Sequence, residues 1–146
     1  DGGLRRRPVR LGVGDTMSTE ESMDIRSILI VDDSKTSRMI TRRCFEIAGY
    51  MESEYIEAED GVRAVTLLHQ HDIDLILSDL KMPKMDGATF IRKLKMNETT
   101  RDIPIIVISS MGNDVTEQQL RDAGVRAVIR KPLNPEKVLE AMGEEL

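Results

Sequence analysis

The sequence is poor in aromatic residues and in cysteine. Only 3% of its 146 residues are aromatic and none is Trp, so a hydrophobic core must be built mainly from aliphatic side chains. A single cysteine, Cys44, excludes a disulfide framework and any metal site made of several thiolates. We expect this thiol to be reduced and to lie on the packed face of a helix.

Excess positive charge and long apolar runs are also missing. The formal net charge of −5 argues against nucleic acid as the main partner, because phosphate binding requires a basic face. No segment approaches the roughly 18 consecutive apolar residues that suggest a membrane span. Residues 1–14 lack the continuous apolar stretch of a signal peptide. These absences indicate a cytoplasmic protein without membrane insertion.

The length allows one folded domain preceded by a tail. Residues 1–24 mix Gly, Arg, Pro, Ser and acidic residues without periodicity, so we expect them to be disordered. Met17 and Met23 lie shortly before the periodic part, and an artefact of the assigned start site would also explain the tail. Residues 25–146 are expected to fold as a single domain.

From residue 25 onward, short apolar runs alternate with segments of helical periodicity. Five runs predict strands, at residues 28–31, 54–58, 74–78, 105–108 and 127–130. Each is followed by a predicted helix, and strict alternation of this kind predicts a parallel sheet with helices on both faces. The sequence therefore indicates an α/β fold.

The predicted helices differ in the strength of their signals. Residues 35–48 carry Met39, Ile40 and Cys44 at helical spacing and stop before a glycine. The fourth helix, near residues 115–123, has few apolar positions, which fits a mobile element, a partner surface or a short exposed helix. The fifth has clear start chemistry, with Asn134 as N-cap and a proline directly after it.

Chemically active side chains follow the predicted strands at the point where each strand ends. Asp32 and Asp33 follow the first strand, Asp79 the third, Ser109 the fourth and Lys131 the fifth. In open α/β sheets, functional residues gather beyond the carboxyl ends of the strands. Each residue alone is more often a turn, cap or surface residue. Together they form one coherent set on a single edge of the sheet.

Three carboxylates on one edge repel one another unless a cation lies among them. Oxygen ligands without His or Cys favour Mg²⁺, which also binds phosphate oxygens. Such an ion would keep Asp79 ionised as a nucleophile and neutralise charge on a transferring phosphoryl group. Lys131 would pair with phosphate oxygens, and Ser109 would donate a hydrogen bond to one of them.

These segments resemble the response-regulator receiver family of two-component signalling systems. The resemblance covers residues 27–146 and rests on four motifs: LIVDDS (29–34), LILSDLKMPKMDG (75–87), IIVISS (105–110) and RKPLNP (130–135). It implies a doubly wound, flavodoxin-like sheet of five parallel strands in the order 2-1-3-4-5, with five helices. The local sequence after the fourth strand, SSMGND, resembles that of the single-domain, chemotaxis-type members.

The resemblance also implies specific roles for residues at this edge. Asp79 would be the phosphoacceptor, and Mg²⁺ would be held by Asp33, Asp79 and the backbone carbonyl of Lys81, with Asp32 acting largely through water. The peptide bond between Lys131 and the following proline would be cis.

The partners implied by the resemblance are proteins. The phosphoryl donor would be a phosphohistidine on a sensor histidine kinase or a His-containing phosphotransfer protein, and a downstream target would bind through the fourth helix, fifth strand and fifth helix. The protein would be a switch and not an enzyme. Val128 occupies a position that is commonly Tyr or Phe in chemotaxis-type members, so a Tyr-type rotamer switch cannot operate here. His69 and His71 are expected to be plain surface residues.

Other functions are compatible with parts of this pattern. Within the same family, the chain could be a phosphorelay intermediate or a receiver domain cut from a longer regulator. An aspartyl-phosphate hydrolase or phosphotransferase usually places its nucleophile after the first strand, in an Asp-x-Asp motif, whereas Asp32 and Asp33 are adjacent here. A degenerate, unphosphorylated adaptor is disfavoured because the set of acid, hydroxyl and lysine is complete.

Overall fold

The computed structural model describes residues 25–110 and 114–143. The strands are β1 (Ser27–Val31), β2 (Glu54–Ala58), β3 (Leu75–Ser78), β4 (Ile105–Ser109) and β5 (Ala127–Arg130). The helices are α1 (Lys35–Phe45), α2 (Gly61–Gln70), α3 (Gly87–Lys95), α4 (Asp114–Asp122) and α5 (Pro135–Ala141). The tail predicted at residues 1–24 and the last three residues of the predicted domain lie outside the described residues.

The five strands form one parallel sheet in the order β2-β1-β3-β4-β5. This confirms the predicted doubly wound, flavodoxin-like fold. β2 lies at one edge and is mostly polar and partly exposed, whereas β1, β3 and β4 are buried along their whole length. The central strands are therefore almost continuous apolar runs, as expected for a sheet covered on both faces.

The side chains of β1 alternate between two hydrophobic layers. Leu29 and Val31 face the layer formed with α2 and α3, where Phe90 is fully buried. Ile28 and Ile30 face the layer formed with α1 and α5, which contains Phe45. Full burial of such a side chain contributes roughly 1.5–3 kcal/mol. The two layers fix the helices against the sheet and so hold the carboxyl-terminal strand ends together.

Polar side chains cap the helices where the chain leaves the sheet. Ser34, Asp60, Asp86 and Asn134 each accept a hydrogen bond from a backbone N–H in the first turn of α1, α2, α3 and α5, respectively. The predicted cap at Asn134 is confirmed. Each cap satisfies a backbone donor that has no partner within the helix.

The first helix differs from its prediction in two ways. α1 ends at Phe45 and continues as a π-helical turn, Glu46–Tyr50, in which Gly49 has a φ of 122°. Met39 and Ile40 have the spacing of a core stripe but are 59% and 50% exposed. The buried residues of α1 are Thr41, Cys44 and Phe45, so Cys44 of the predicted stripe is buried whereas Met39 and Ile40 are not. Periodicity alone could not distinguish the two neighbouring faces of the helix.

No helix within the described part of the chain has both the length and the apolar character needed to cross a bilayer. Cys44 is buried and unpaired, as predicted, and burial raises the pKa of its thiol. His69 and His71 are exposed, which agrees with their interpretation as surface residues.

Candidate functional site

Two of the predicted acidic residues extend the hydrogen-bonding pattern of the sheet by one step. The Asp32 N–H donates to the carbonyl of Ala58 at 3.1 Å, and the Asp79 N–H donates to the carbonyl of Val31 at 2.9 Å. Because β1 lies between β2 and β3, these bonds bring the ends of three strands to one edge. The backbone thus fixes where both carboxylates emerge.

Three carboxylates converge at this edge. Asp32, Asp33 and Asp79 each offer an oxygen, and these atoms lie within 4.8 Å of one another. Asp32 is buried, Asp79 is half-buried and Asp33 is exposed, so the cluster opens to solvent on one side. Oxygen donors at this spacing suit a hard divalent cation that keeps part of its water shell. The residues present therefore fit a metal of the Mg²⁺ type.

The Asp32 carboxylate accepts hydrogen bonds from three donors. Its Oδ1 accepts from the Ser34 N–H at 2.9 Å, and its Oδ2 accepts from the Ser37 hydroxyl at 2.6 Å. The Lys131 ammonium lies 3.4 Å from the same Oδ2. The backbone carbonyl oxygen of Asp32 also accepts a hydrogen bond from the Arg38 guanidinium at 2.6 Å. Asp32 therefore has a fixed orientation, and its role extends beyond that of a turn residue.

The surroundings of Asp79 disfavour the ionised form of its carboxyl group. Burial raises the pKa of its carboxyl group, and the nearby Asp32 raises it further. The Lys131 ammonium, 3.6 Å from Oδ2, and the backbone N–H groups of Leu80 and Lys81 oppose this shift. The Leu80 N–H lies 2.7 Å from Oδ1. A half-buried carboxylate whose charge is only partly compensated is suited to bind a cation or to react as a nucleophile.

Lys131 and Ser109 come from the neighbouring strand ends. The Lys131 N–H donates to the Ser109 carbonyl at 3.0 Å, and the bond from Lys131 to Pro132 is cis, as predicted. Ser78 pairs with Val107, so Ser109 stands one register position beyond Asp79. Ser109 is the last residue of β4 and is buried, whereas the sequence placed it just after the strand.

The loop after β3 begins beside Asp79 and contacts its carboxylate through backbone N–H groups. Lys81 directs its backbone N–H towards Asp79 and exposes its side chain, while the predicted role of its carbonyl as a metal ligand stays a prediction. Further along, Lys84 has a φ of 68° and its ammonium lies 3.5 Å from Asp60 Oδ2. This pair connects the loop after β3 with the loop after β2.

The structure brings together the predicted residues Asp32, Asp33, Asp79 and Lys131, and it places Ser109 on the same edge. Sequence reasoning missed Ser37. A serine in the first turn of a helix reads as a capping residue, and its position five residues after Asp32 was the only available signal.

The chain belongs to the response regulator receiver domain family, whose model matches residues 28–143. It is therefore a receiver domain of a response regulator, and this family acts in signalling as a switch.

Individual relatives agree with this assignment. The chain is 31% identical over 117 residues to the polar-differentiation response regulator DivK of Brucella ovis, covering 80% of this chain and 93% of that protein. The structure of the chemotaxis response regulator CheY4 of Vibrio cholerae matches with a TM-score of 0.71 and 28% identity, covering 82% of this chain and 98% of that one. The Mn²⁺-bound form of response regulator Rcp1 matches with a TM-score of 0.68 and 25% identity, covering 81% and 90%.

Proposed function

We propose that this chain is a Mg²⁺-dependent, stand-alone switch that is phosphorylated on Asp79. The observation that carries the proposal is the position of the Lys131 ammonium, 3.4 Å from Asp32 and 3.6 Å from Asp79, within a cluster of three carboxylates. A cation beside two acids at a partly open edge is suited to receive a further anionic group, since it can exchange a carboxylate for a phosphate oxygen.

In the proposed reaction, a carboxylate oxygen of Asp79 attacks the phosphorus of a phosphohistidine on a partner protein. The new O–P bond forms an acyl phosphate on Asp79, the P–N bond breaks, and the imidazole leaves. Lys131 pairs with a phosphoryl oxygen, and the Ser109 hydroxyl donates to another. These side chains supply charge and orientation, which are the main requirements of phosphoryl transfer.

The proposed metal ligands are Asp33, Asp79 and the Lys81 carbonyl, with Asp32 acting through water. A bound Mg²⁺ would supply charge neutralisation for the acidic cluster and the incoming phosphoryl group. Support comes from the spacing of the three carboxylates and from the relative Rcp1, whose structure is described as Mn²⁺-bound.

The proposal extends to the domain and its partners. We place the receiver domain at residues 25–146, in the cytoplasm, with a sensor histidine kinase or a His-containing phosphotransfer protein as donor. A downstream protein would bind through α4, β5 and α5. Val128 lies half-buried in β5, so any signal reaching this surface cannot depend on an aromatic ring at that position. The chain would act as a switch and not as an enzyme.

The test is intact-mass analysis after incubation with acetyl phosphate, with and without Mg²⁺. We expect a phosphoryl-sized mass gain in the wild type that requires Mg²⁺ and is absent in Asp79→Asn. Asp86→Asn is the matched control, because asparagine preserves the N-cap of α3 and the acceptor is untouched. A folded wild type without any mass gain would refute the proposal and favour an unphosphorylated adaptor.

A further inference from the structure

Ser37 lies in the first turn of α1 and contacts two charged residues of the site. Its Oγ is 2.6 Å from Asp32 Oδ2 and 3.1 Å from Lys131 Nζ. The Lys131 ammonium is 3.4 Å from Asp32 Oδ2 and 3.6 Å from Asp79 Oδ2. Of these three groups, the Ser37 hydroxyl lies nearest to the Lys131 ammonium, and both carboxylates lie further away.

The direction of each hydrogen bond follows from the groups involved. An ionised carboxylate can only accept, and an ammonium group can only donate. The single hydroxyl proton of Ser37 is therefore directed to Asp32, which leaves an oxygen lone pair to accept from Lys131. Ser37 thus joins a buried acid to the cation in a fixed order.

We propose that Ser37 is a positioning residue that holds the Lys131 ammonium beside Asp79 before phosphorylation. This inference rests on the proposed function, because it assigns Ser37 to the same reaction. Ser37 does not touch the transferred group; it acts through Lys131.

A neutral acceptor is suited to this task. A carboxylate in place of Ser37 would bind Lys131 more strongly and would add charge to an already acidic edge. A hydroxyl holds the ammonium in position but competes weakly with an arriving phosphoryl oxygen. When Lys131 moves to the phosphoryl group, Asp32 keeps its hydrogen bonds from Ser37 and from the Ser34 N–H.

The experiment compares Ser37→Ala, Ser37→Thr and the wild type. Thr36→Ala is the matched control, because it removes a hydroxyl from an exposed neighbouring position of the same helix turn. The first readout is the side-chain ammonium resonance of Lys131 in ¹⁵N-labelled protein, assigned by its loss in Lys131→Arg. This signal requires slow proton exchange with water and needs no phosphorylation. The second readout is the initial rate of phosphorylation by acetyl phosphate over a range of Mg²⁺ concentrations.

We expect the Lys131 resonance to be sharp in the wild type, Ser37→Thr and Thr36→Ala, and broadened in Ser37→Ala. The phosphorylation rate of Ser37→Ala at saturating Mg²⁺ should fall about tenfold, the scale of one charge-assisted hydrogen bond. The half-saturating Mg²⁺ concentration should stay unchanged, because Ser37 acts through Lys131 and not through the metal. Recovery of the rate in Ser37→Thr would support positioning by the hydroxyl.

An unchanged Lys131 resonance in a folded Ser37→Ala would overturn the inference. So would a rate loss that extra Mg²⁺ fully restores, since this would assign the effect to Asp32 and the metal. If the wild type takes up no phosphoryl group, the proposed function fails, while the resonance still decides whether Ser37 holds Lys131.

Discussion

A Cβ atom added to Gly87 would lie 2.7 Å from the backbone carbonyl oxygen of Asp79. The same atom would lie 2.7 Å from the Leu80 Cα. The first residue of α3 is thus packed directly against the backbone that carries the proposed acceptor, and a hydrogen bond from the Gly87 N–H to the Leu80 carbonyl at 2.9 Å holds the two segments together.

We predict that Gly87→Ala destabilises the protein by about 2 kcal/mol or more, because rigid backbone must move to admit the methyl group. Gly61→Ala is the matched control. Gly61 also starts a helix after an Asp N-cap, but its added Cβ would meet the flexible side chain of Met85 at 2.9 Å. Urea unfolding followed by circular dichroism measures both variants. Equal losses would show that the contact of Gly87 with the acceptor loop is unimportant.

Neutralising Asp79 should stabilise the fold when Mg²⁺ is absent. Burial and the neighbouring Asp32 raise the pKa of Asp79, so its ionised form is unfavourable in the folded state. We expect Asp79→Asn to raise the free energy of unfolding at pH 7 by about 1 kcal/mol, a typical size for one substitution. Thermal unfolding in the presence of a chelator measures the difference, and a less stable variant would contradict the electrostatic argument.

The stability difference between Asp79→Asn and the wild type should depend on pH. The pKa of Asp79 is higher in the folded state than its ordinary value of 3.8. Such a group stabilises the fold fully below its unfolded-state pKa, and this stabilisation is lost as the pH rises through the folded-state pKa. The advantage of the variant should therefore narrow as the pH is lowered from 7 towards 4. A stability difference that stays constant between pH 7 and pH 4 would exclude Asp79 as the source of that difference.

Mg²⁺ should make the wild type more stable than Asp79→Asn at pH 7, because a ligand that binds the native state adds about 2.7 kcal/mol at 100 times its Kd.

Replacing Arg38 by lysine should lower the free energy of unfolding. Its Nη1 donates to the Asp32 carbonyl and its Nε donates to Glu57, both at 2.6 Å, and its side chain is 14% exposed. Lysine cannot reproduce this fork, so we expect Arg38→Lys to cost about 1–2 kcal/mol in urea unfolding. Arg43→Lys is the control, since Arg43 forms an exposed ion pair with Glu46 that should change by less than about 0.5 kcal/mol. Similar costs for both would argue against a special role for Arg38.

The protein should lose stability at high pH through Tyr55. Burial raises the pKa of this phenol to about 12, and its hydroxyl donates to the Tyr50 carbonyl at 2.6 Å. Because the folded state keeps its proton longer than the unfolded state, the free energy of unfolding should fall between pH 10 and pH 12. Tyr55→Phe should remove this part of the pH dependence and cost about 1 kcal/mol at neutral pH. In Tyr50→Phe, ultraviolet absorbance should still show the late titration of the remaining phenol.

The sequence predicted the architecture because each central strand is an almost continuous apolar run and each residue after it is chemically distinctive. Asp32, Asp79 and Lys131 could be assigned to one edge because the carboxyl ends of parallel strands meet there. The resemblance to the receiver family supplied the strand order, which periodicity does not contain. The sheet and the position of the acidic residues could therefore be predicted from the sequence and this resemblance together.

Other features depend on contacts between elements and could not be predicted. Ser37 and Arg38 gain their partners only when α1 packs over the sheet at a particular angle, and neither residue type is distinctive at those positions. The exposure of Met39 follows from which of two adjacent faces of α1 fits the core. The π-helical turn after Phe45 is likewise invisible to a pattern that assumes regular helical spacing.

The position of the two tyrosines limits what light can report about this protein. They are its only tyrosines, and there is no Trp. Tyr55 pairs with Ile28 near the start of β1, whereas Asp32 follows the end of that strand, roughly 13 Å away at the usual rise per residue. Intrinsic fluorescence therefore samples the amino-terminal edge of the sheet. A change in tyrosine emission on metal binding or phosphorylation at the carboxylates would therefore require a conformational change that extends along the length of a strand. The two tyrosines thus report whether such a change reaches the opposite end of the sheet.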